Sequence, residues 1–169
     1  MRSSEKHKHI AAQRGPVSFA IVTVSDSRTP ETDTNYHYLK QVIQQANHQC
    51  NTYRIIKDDP QMVEEVLNEL AEHDVQIILF NGGTGISKRD TTYDVISRML
   101  EKTLMGFGEL FRMLSYEQVG SAAMFSRATA GVYHGKMIIS IPGSPDAVKL
   151  AWEKLIAPEA NHLAWEIQR

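Results

Sequence analysis

Apolar positions along this chain follow two patterns. Short, nearly unbroken apolar runs at residues 17–24, 75–80 and 137–141 predict strands buried on both faces. A weaker strand is predicted over residues 50–56. Between these runs, apolar residues recur at helical spacing. Tyr38, Leu39, Val42, Ile43 and Ala46 stripe a helix over residues 35–47. Met62, Val63, Val66, Leu67 and Leu70 stripe a second, which Asp59 caps, Pro60 opens and which stops near His73. Thr91 and Asp94 have the spacing of a capping box, and Val95, Ile96, Met99 and Leu100 form the stripe that follows. Ser144 and Pro145 start another helix, with Ala147, Val148, Ala151, Trp152, Leu155 and Ile156 as its buried face. Pro158 opens a last short helix toward Trp165.

The alternation breaks once. Met105-Gly106-Phe107-Gly108 interrupts it, and Phe107, Leu110, Phe111 and Leu114 then give a short helix a bulky apolar face. A face so bulky on a chain of this size predicts a buried subunit interface. Residues 118–127 show no periodicity. Residues 128–133 and 136–141 flank His134-Gly135 as a hairpin would.

Strands alternating with helices imply right-handed crossovers and a mostly parallel sheet covered on both faces. Ligands bind such a sheet outside the carboxyl ends of its strands. Four predicted strands end in polar or glycine-containing turns: Ser25-Asp26, Lys57-Asp58, the stretch from Asn81 to Asp90, and Pro142-Gly143-Ser144-Pro145. A parallel sheet puts all four at one edge.

The stretch Asn81-Gly82-Gly83-Thr84-Gly85-Ile86-Ser87-Lys88-Arg89-Asp90 organises that edge. Glycine N–H groups with no Cβ in the way can lie against an anion, and the helix start beyond them favours phosphate. The loop lacks the Gly-Lys-Ser/Thr of a P-loop, and Lys88 replaces the third glycine of a dinucleotide fingerprint. Lys88, Arg89 and Asp90 bring two cations and a carboxylate to the place where a phosphate and its metal ion need them. Asp58 and Asp90 suit Mg2+; Asp26 stands beside them or closes an Asx-turn. Phosphoryl or nucleotidyl transfer needs this kind of charge neutralisation and alignment.

Composition narrows the picture. The 169 residues are 42% hydrophobic and 22% charged, with a net charge of −2, so no basic field points to nucleic acid. One cysteine, Cys50, excludes an internal disulfide and suits a reducing compartment. Residues 1–15 are polar, without the apolar core of a secretory signal, and are expected to be a disordered tail before a single domain over residues 16–169. His7 and His9 read as part of that solvated tail rather than as metal ligands. His37, His48, His73, His134 and His162 show no ligand spacing. No apolar run reaches the length of a membrane span, and a cytoplasmic location is expected.

Five motifs together resemble one family. Thr23-Val-Ser-Asp-Ser-Arg28, the loop from Asn81 through Thr92, Gly106-Phe-Gly-Glu-Leu-Phe-Arg-Met-Leu-Ser115, Ser126-Arg127-Ala128 and Ile141-Pro-Gly-Ser-Pro145 are similar, in order, to the MoaB/MogA family of molybdenum-cofactor biosynthesis, which includes the G domain of gephyrin. The similarity runs from about Val17 to Leu163. Residues 106–115 and 156–163 look closer to MoaB than to MogA. The resemblance implies a three-layer α/β fold in a homo-trimer or homo-hexamer. It further implies that molybdopterin is adenylylated: its terminal phosphate attacks the α-phosphorus of Mg-ATP and pyrophosphate leaves.

Residue by residue, the resemblance assigns catalysis and Mg-ATP handling to Asp58 and Asp90. Gly82, Gly83, Thr84 and Gly85 match the phosphate loop; Pro142, Gly143 and Ser144 match the turn lining the pterin site; Ser25 and Asp26 match the first strand-end turn. Asp33-Thr-Asn-Tyr36 departs from the Asp-x-Ser/Gly-Gly of many members, so Tyr36 is expected to crowd a bound phosphate. Lys57, Asn81 and Tyr93 replace residues frequent in the family. Two functions follow. Retention of Asp58 and Asp90 favours an adenylyltransferase, whereas Tyr36 favours a molybdopterin-binding protein without catalysis.

Overall fold

The apolar runs are realised as one six-stranded sheet in a computed structural model that describes residues 3–169. Its strands are Ser18–Val24 (β1), Gln49–Ile56 (β2), Ile77–Asn81 (β3), Lys102–Thr103 (β4), Thr129–Tyr133 (β5) and Lys136–Ile141 (β6). Their spatial order is β2-β1-β3-β6-β5-β4. β2, β1, β3 and β6 are parallel; β5 and β4 are added antiparallel, β5 through the His134-Gly135 hairpin.

Successive side chains of a strand point to opposite faces, and both faces here are apolar. Phe19, Ile21, Ile77, Leu79, Met137 and Ile139 pack on one side, Ala20, Val22, Ile78, Phe80 and Ile138 on the other. Each face therefore needs a helical layer. Helices Thr34–Gln45 (α2), Met105–Val119 (α5), Pro145–Ala151 (α6) and Ala160–Glu166 (α7) cover the first, with Leu39, Ile43, Phe111, Val148 and Ala164 buried against it. Pro60–Ala71 (α3) and Thr92–Met99 (α4) cover the second through Val63, Leu67, Leu70, Val95 and Ile96. The mostly parallel sheet covered on both faces, expected from the alternation, is observed, in the three-layer αβα class that the resemblance implied.

Three expectations need correction, and one unassigned stretch is placed. Within the stretch expected to be a disordered tail, Ser3–Ala12 form a helix (α1) packed on α7, with Ala11 buried, the His7 ring 5.0 Å from that of Trp165, and Lys8 paired with Glu159. Residues 1 and 2 lie outside the described residues. Phe107 and Phe111 belong to the core, so the bulky face of α5 is divided; Met105, Leu110, Met113, Tyr116 and Val119 are its exposed part. Met62 is exposed rather than buried, being on the first turn of α3 beside the capping Asp59. The stretch without periodicity continues α5 and then turns through a 3-10 helix, Gly120–Phe125, whose tighter pitch has no 3.6-residue repeat to read.

The helical run after Ser144 also changes pitch. α6 passes into a π turn at Trp152–Ile156 and a 3-10 turn at Ala157–Glu159 before α7. Pro158, which cannot donate a backbone hydrogen bond, stands where the pitch changes.

Candidate functional site

Parallel pairing brings the ends of β1, β2, β3 and β6 to one edge, so all four predicted turns meet there. Backbone bonds join them: Ser25 N–H donates to Ile56 O at 2.8 Å, and Gly82 N–H to Ile141 O at 2.9 Å. From β1 the chain steps to β2 on one side and later to β3 on the other. Their adjoining turns thus flank the crevice in which open α/β sheets take ligands.

The glycine loop is shaped by what lies against it. Gly82 and Gly83 have φ of 111° and 70°, values that side chains with a Cβ rarely adopt. A Cβ at Gly82 would collide with the Val24 carbonyl. At Gly83 it would collide with Thr92 Oγ1 and lie 2.6 Å from Asp58 Oδ2; at Gly85 it would lie 2.7 Å from Asp90 Oδ2. Asp58, from the turn after β2, and Asp90, closing the loop itself, therefore both lie against its glycines. Asp58 Oδ1 accepts from the Thr91 N–H at 3.1 Å and the Thr91 hydroxyl at 2.7 Å. The expected capping box of α4 does not form, because Thr91 is held by Asp58 instead. Asp90 Oδ2 accepts from Ser87 N–H and Oγ at 3.0 and 2.7 Å.

Asp26 Oδ1 accepts from the Asp58 N–H at 3.3 Å, while Oδ2 pairs with Arg89. Arg89 is thereby engaged by a carboxylate. Lys88 is exposed and makes no ion pair among the described residues. Ser25 Oγ holds its own turn through the N–H groups of Ser27 and Arg28. Gly143 touches the loop, since a Cβ there would lie 3.2 Å from Gly82 Cα, and Ser144 caps α6 through Ala147 N–H. Pro142, Gly143 and Ser144 thus share a rim with Gly82.

Tyr36, expected to crowd a phosphate, has its ring in a parallel stack on Tyr53, centroids 3.7 Å apart. Its N–H is capped by buried Asp33, which also accepts from the Tyr53 hydroxyl at 2.7 Å. Burial, and next this bond to a carboxylate, push the Tyr53 phenol above its ordinary pKa.

Several residues of the site were not singled out for it from sequence. Arg127 is the chief one: its guanidinium donates to Gly85 O at 2.7 and 2.9 Å and to both oxygens of Asp94 at 2.8 and 3.0 Å, and it lies over the Tyr93 ring. Its N–H donates to Thr84 O at 3.0 Å. Hydrogen bonds from Arg127 hold the exposed Asp94 carboxyl below its ordinary pKa. Arg127 thus fastens the loop to the start of α4; its only sequence signal was the short Ser126-Arg127-Ala128 match. Asn35 and Asn81 are both buried. Asn35 donates to Asn81 Oδ1 at 2.9 Å and to Gly143 O at 2.8 Å, and Asn81 donates to Thr23 Oγ1 at 3.0 Å. The Thr92 hydroxyl is buried beside Gly83 with no hydrogen-bond partner among the described residues. A ligand atom in the loop would satisfy it.

This fold and loop define the class: the family model described as "Probable molybdopterin binding domain" matches residues 20–162. The chain belongs to the MoaB/MogA family of molybdenum-cofactor biosynthesis proteins. It is similar to molybdenum cofactor biosynthesis protein B of Bacillus cereus, with 46% identity covering 99% of each chain. A crystal structure of a molybdenum cofactor biosynthesis protein B superposes with a TM-score of 0.88 at 45% identity, covering 91% of this chain and 97% of that one. The tungsten cofactor synthesizing protein MoaB from Pyrococcus furiosus superposes at 0.82 with 32% identity, covering 91% and 98%. The chain therefore has a role in molybdenum-cofactor biosynthesis and carries a molybdopterin-binding domain. No helix among the described residues is long and apolar enough to cross a membrane.

Proposed function

We propose that this edge binds molybdopterin and Mg-ATP and joins them by nucleotidyl transfer. An oxygen of the terminal molybdopterin phosphate attacks the α-phosphorus of ATP, the bond from that phosphorus to the bridging oxygen breaks, and pyrophosphate leaves. One observation carries the reading: Asp58, from the turn after β2, and Asp90, from the end of the glycine loop itself, both lie against the loop's glycines. Two carboxylates beside a phosphate cradle repel the ligand unless a cation lies between them.

The donor set fits Mg2+. Asp58 Oδ2 and Asp90 Oδ1 accept no hydrogen bond among the described residues, and Mg2+ takes one or two carboxylates with water and phosphate oxygens. Bound there, Mg2+ would neutralise triphosphate charge. The chain's own groups do the rest. Thr92 Oγ1 and the N–H groups of the loop and of the first turn of α4 donate to phosphate. Lys88 meets the charge that develops on the leaving pyrophosphate, and Arg89 joins it when it leaves Asp26. Pro142, Gly143 and Ser144 line the pterin. The protein works in the cytoplasm as a homo-trimer or homo-hexamer, whose contacts use the exposed apolar residues of α5.

The test is incubation of the pure protein with molybdopterin and Mg-ATP. Adenylylated molybdopterin and pyrophosphate should form in equal amounts. A specific observation favours the second reading, a molybdopterin-binding protein without transfer: Asp90 and Arg89 are each held by neighbours. Pterin binding without AMP transfer would select it.

A further inference from the structure

Away from the glycine loop, α1 and α7 bring together a donor set that the function above does not use. His7, His162 and Glu166 each offer one ligand atom, all within 4.8 Å of one another. His162 and Glu166 stand one helical turn apart on α7, on the same face. His7 arrives from the helix that the sequence alone had suggested was a solvated tail.

The geometry around His162 is informative. Its Nδ1 lies 3.0 Å from Glu159 Oε2. A carboxylate only accepts, so Nδ1 carries the proton and a neutral ring has its lone pair on Nε2. That Nε2 is 3.5 Å from Glu166 Oε1, and His7 Nδ1 is 3.6 Å from the same oxygen. Both distances exceed the usual N–H···O range. They match the spacing of about 3.4 Å between two ligand atoms on one tetrahedral ion with bonds of about 2.1 Å.

We propose that His7, His162 and Glu166 form a site for a borderline transition-metal ion of the Zn2+ class, and that the ion clamps α1 onto α7. Two imidazoles and one carboxylate are ligands that Zn2+ accepts, whereas Mg2+ prefers oxygen alone. Glu159 orients His162 from behind, as the outer partner of a metal-bound imidazole does, and Lys8 pairs with the other oxygen of Glu159. The Trp165 ring packs on His7. His162 and Glu166 also line a cavity of about 830 Å³, which leaves room for water on the remaining coordination position. Among the described residues the nearest competing cation is Arg169, whose Nη1 is 3.6 Å from Glu166 Oε1; its side chain is 55% exposed and can swing away. His9, on the same helix, is bonded to Gln13 and is not part of the set.

The experiment is titration of the full chain, stripped with a chelator, with Zn2+ by calorimetry and with Co2+ by visible absorption. One equivalent should bind per chain, Co2+ should give the intense d–d bands of a four-coordinate ion, and Zn2+ should raise the melting temperature. His7→Gln and His162→Gln should each weaken Zn2+ by more than tenfold and abolish the thermal shift. Glu159→Gln should weaken it roughly 10–100-fold, the range for an outer-sphere partner. His9→Gln should change nothing. His7→Gln keeps the test valid if His162→Gln does not fold, because His7 lies outside the sheet and its layers. The proposal is overturned if wild-type protein binds no Zn2+, if binding survives in both histidine variants, as it would at Cys50, or if only His9→Gln removes it.

Discussion

Gly83 and Asp58 lie so close that a side chain on the glycine must displace the carboxylate or Thr92. Gly83→Val should therefore abolish molybdopterin or ATP binding by calorimetry with little change in helical circular dichroism. Unaltered binding would show that the loop is only a turn. Arg127 gives a second test. A depressed carboxyl pKa stabilises the folded state above the ordinary aspartate value, about 3.9, and that contribution is lost as pH falls through the folded value. Asp94, held low first by its hydrogen bonds to Arg127, should titrate below the ordinary aspartate range by NMR, and Arg127→Gln should return it to that range. A midpoint already ordinary in the wild type would mean that the clamp is absent in solution. The position of Asp58 and Asp90 against the loop was readable because each stands in a turn at a strand end. Arg127 was not, since the groups it binds, Gly85 and Asp94, are 42 and 33 positions away in the chain.

At the scale of elements, α2 depends on one buried carboxylate. Asp33 caps its first turn, accepts the Tyr53 hydroxyl of β2 and lies 3.5 Å from Arg28. Asp33→Ala removes a cap and leaves buried donors unpaired, which should cost about 2–4 kcal/mol. Urea unfolding should show a lowered midpoint at an unchanged slope; a loss below about 0.5 kcal/mol, the scale of a neutral surface change, would contradict this role. Strands and capped helices were legible because burial on both faces and the Asp59-Pro60 and Ser144-Pro145 starts leave local marks. α1 left none. Its sequence is polar except at its end, and its partners, Glu159 and Trp165, are remote. Phe107 and Phe111 on the bulky face of α5 were misassigned for a related reason: a helix's apolar residues do not declare which of them meet their own sheet. Phe107 and Phe111 do, and Leu110 does not.

For the whole molecule, Met105, Leu110, Met113, Tyr116, Val119, Met124 and Phe125 form the exposed apolar part of α5 and the turn after it. Such residues on one stretch favour burial by another subunit. Sedimentation should give a trimer or a multiple of it, and Leu110→Asp with Met113→Asp should shift it toward monomer. A clean wild-type monomer at micromolar concentration would contradict the assembly. The fold itself was readable as a parallel sheet whose strand-end turns converge, because that follows from alternation and crossover handedness alone; the antiparallel β4 was not, being two residues long. The catalytic reading rests on the charge of the two carboxylates. Asp→Asn preserves shape and removes that charge, so its effect should fall on the transition state more than on pterin affinity. The most direct measurement is single-turnover AMP transfer from Mg-ATP to molybdopterin by wild type, Asp58→Asn and Asp90→Asn, with pterin binding measured alongside. Each variant should be slower by on the order of 10²–10³, the effect of losing one electrostatic stabiliser, while pterin binding is retained. A wild type that binds molybdopterin yet transfers no AMP at any Mg2+ concentration would contradict it.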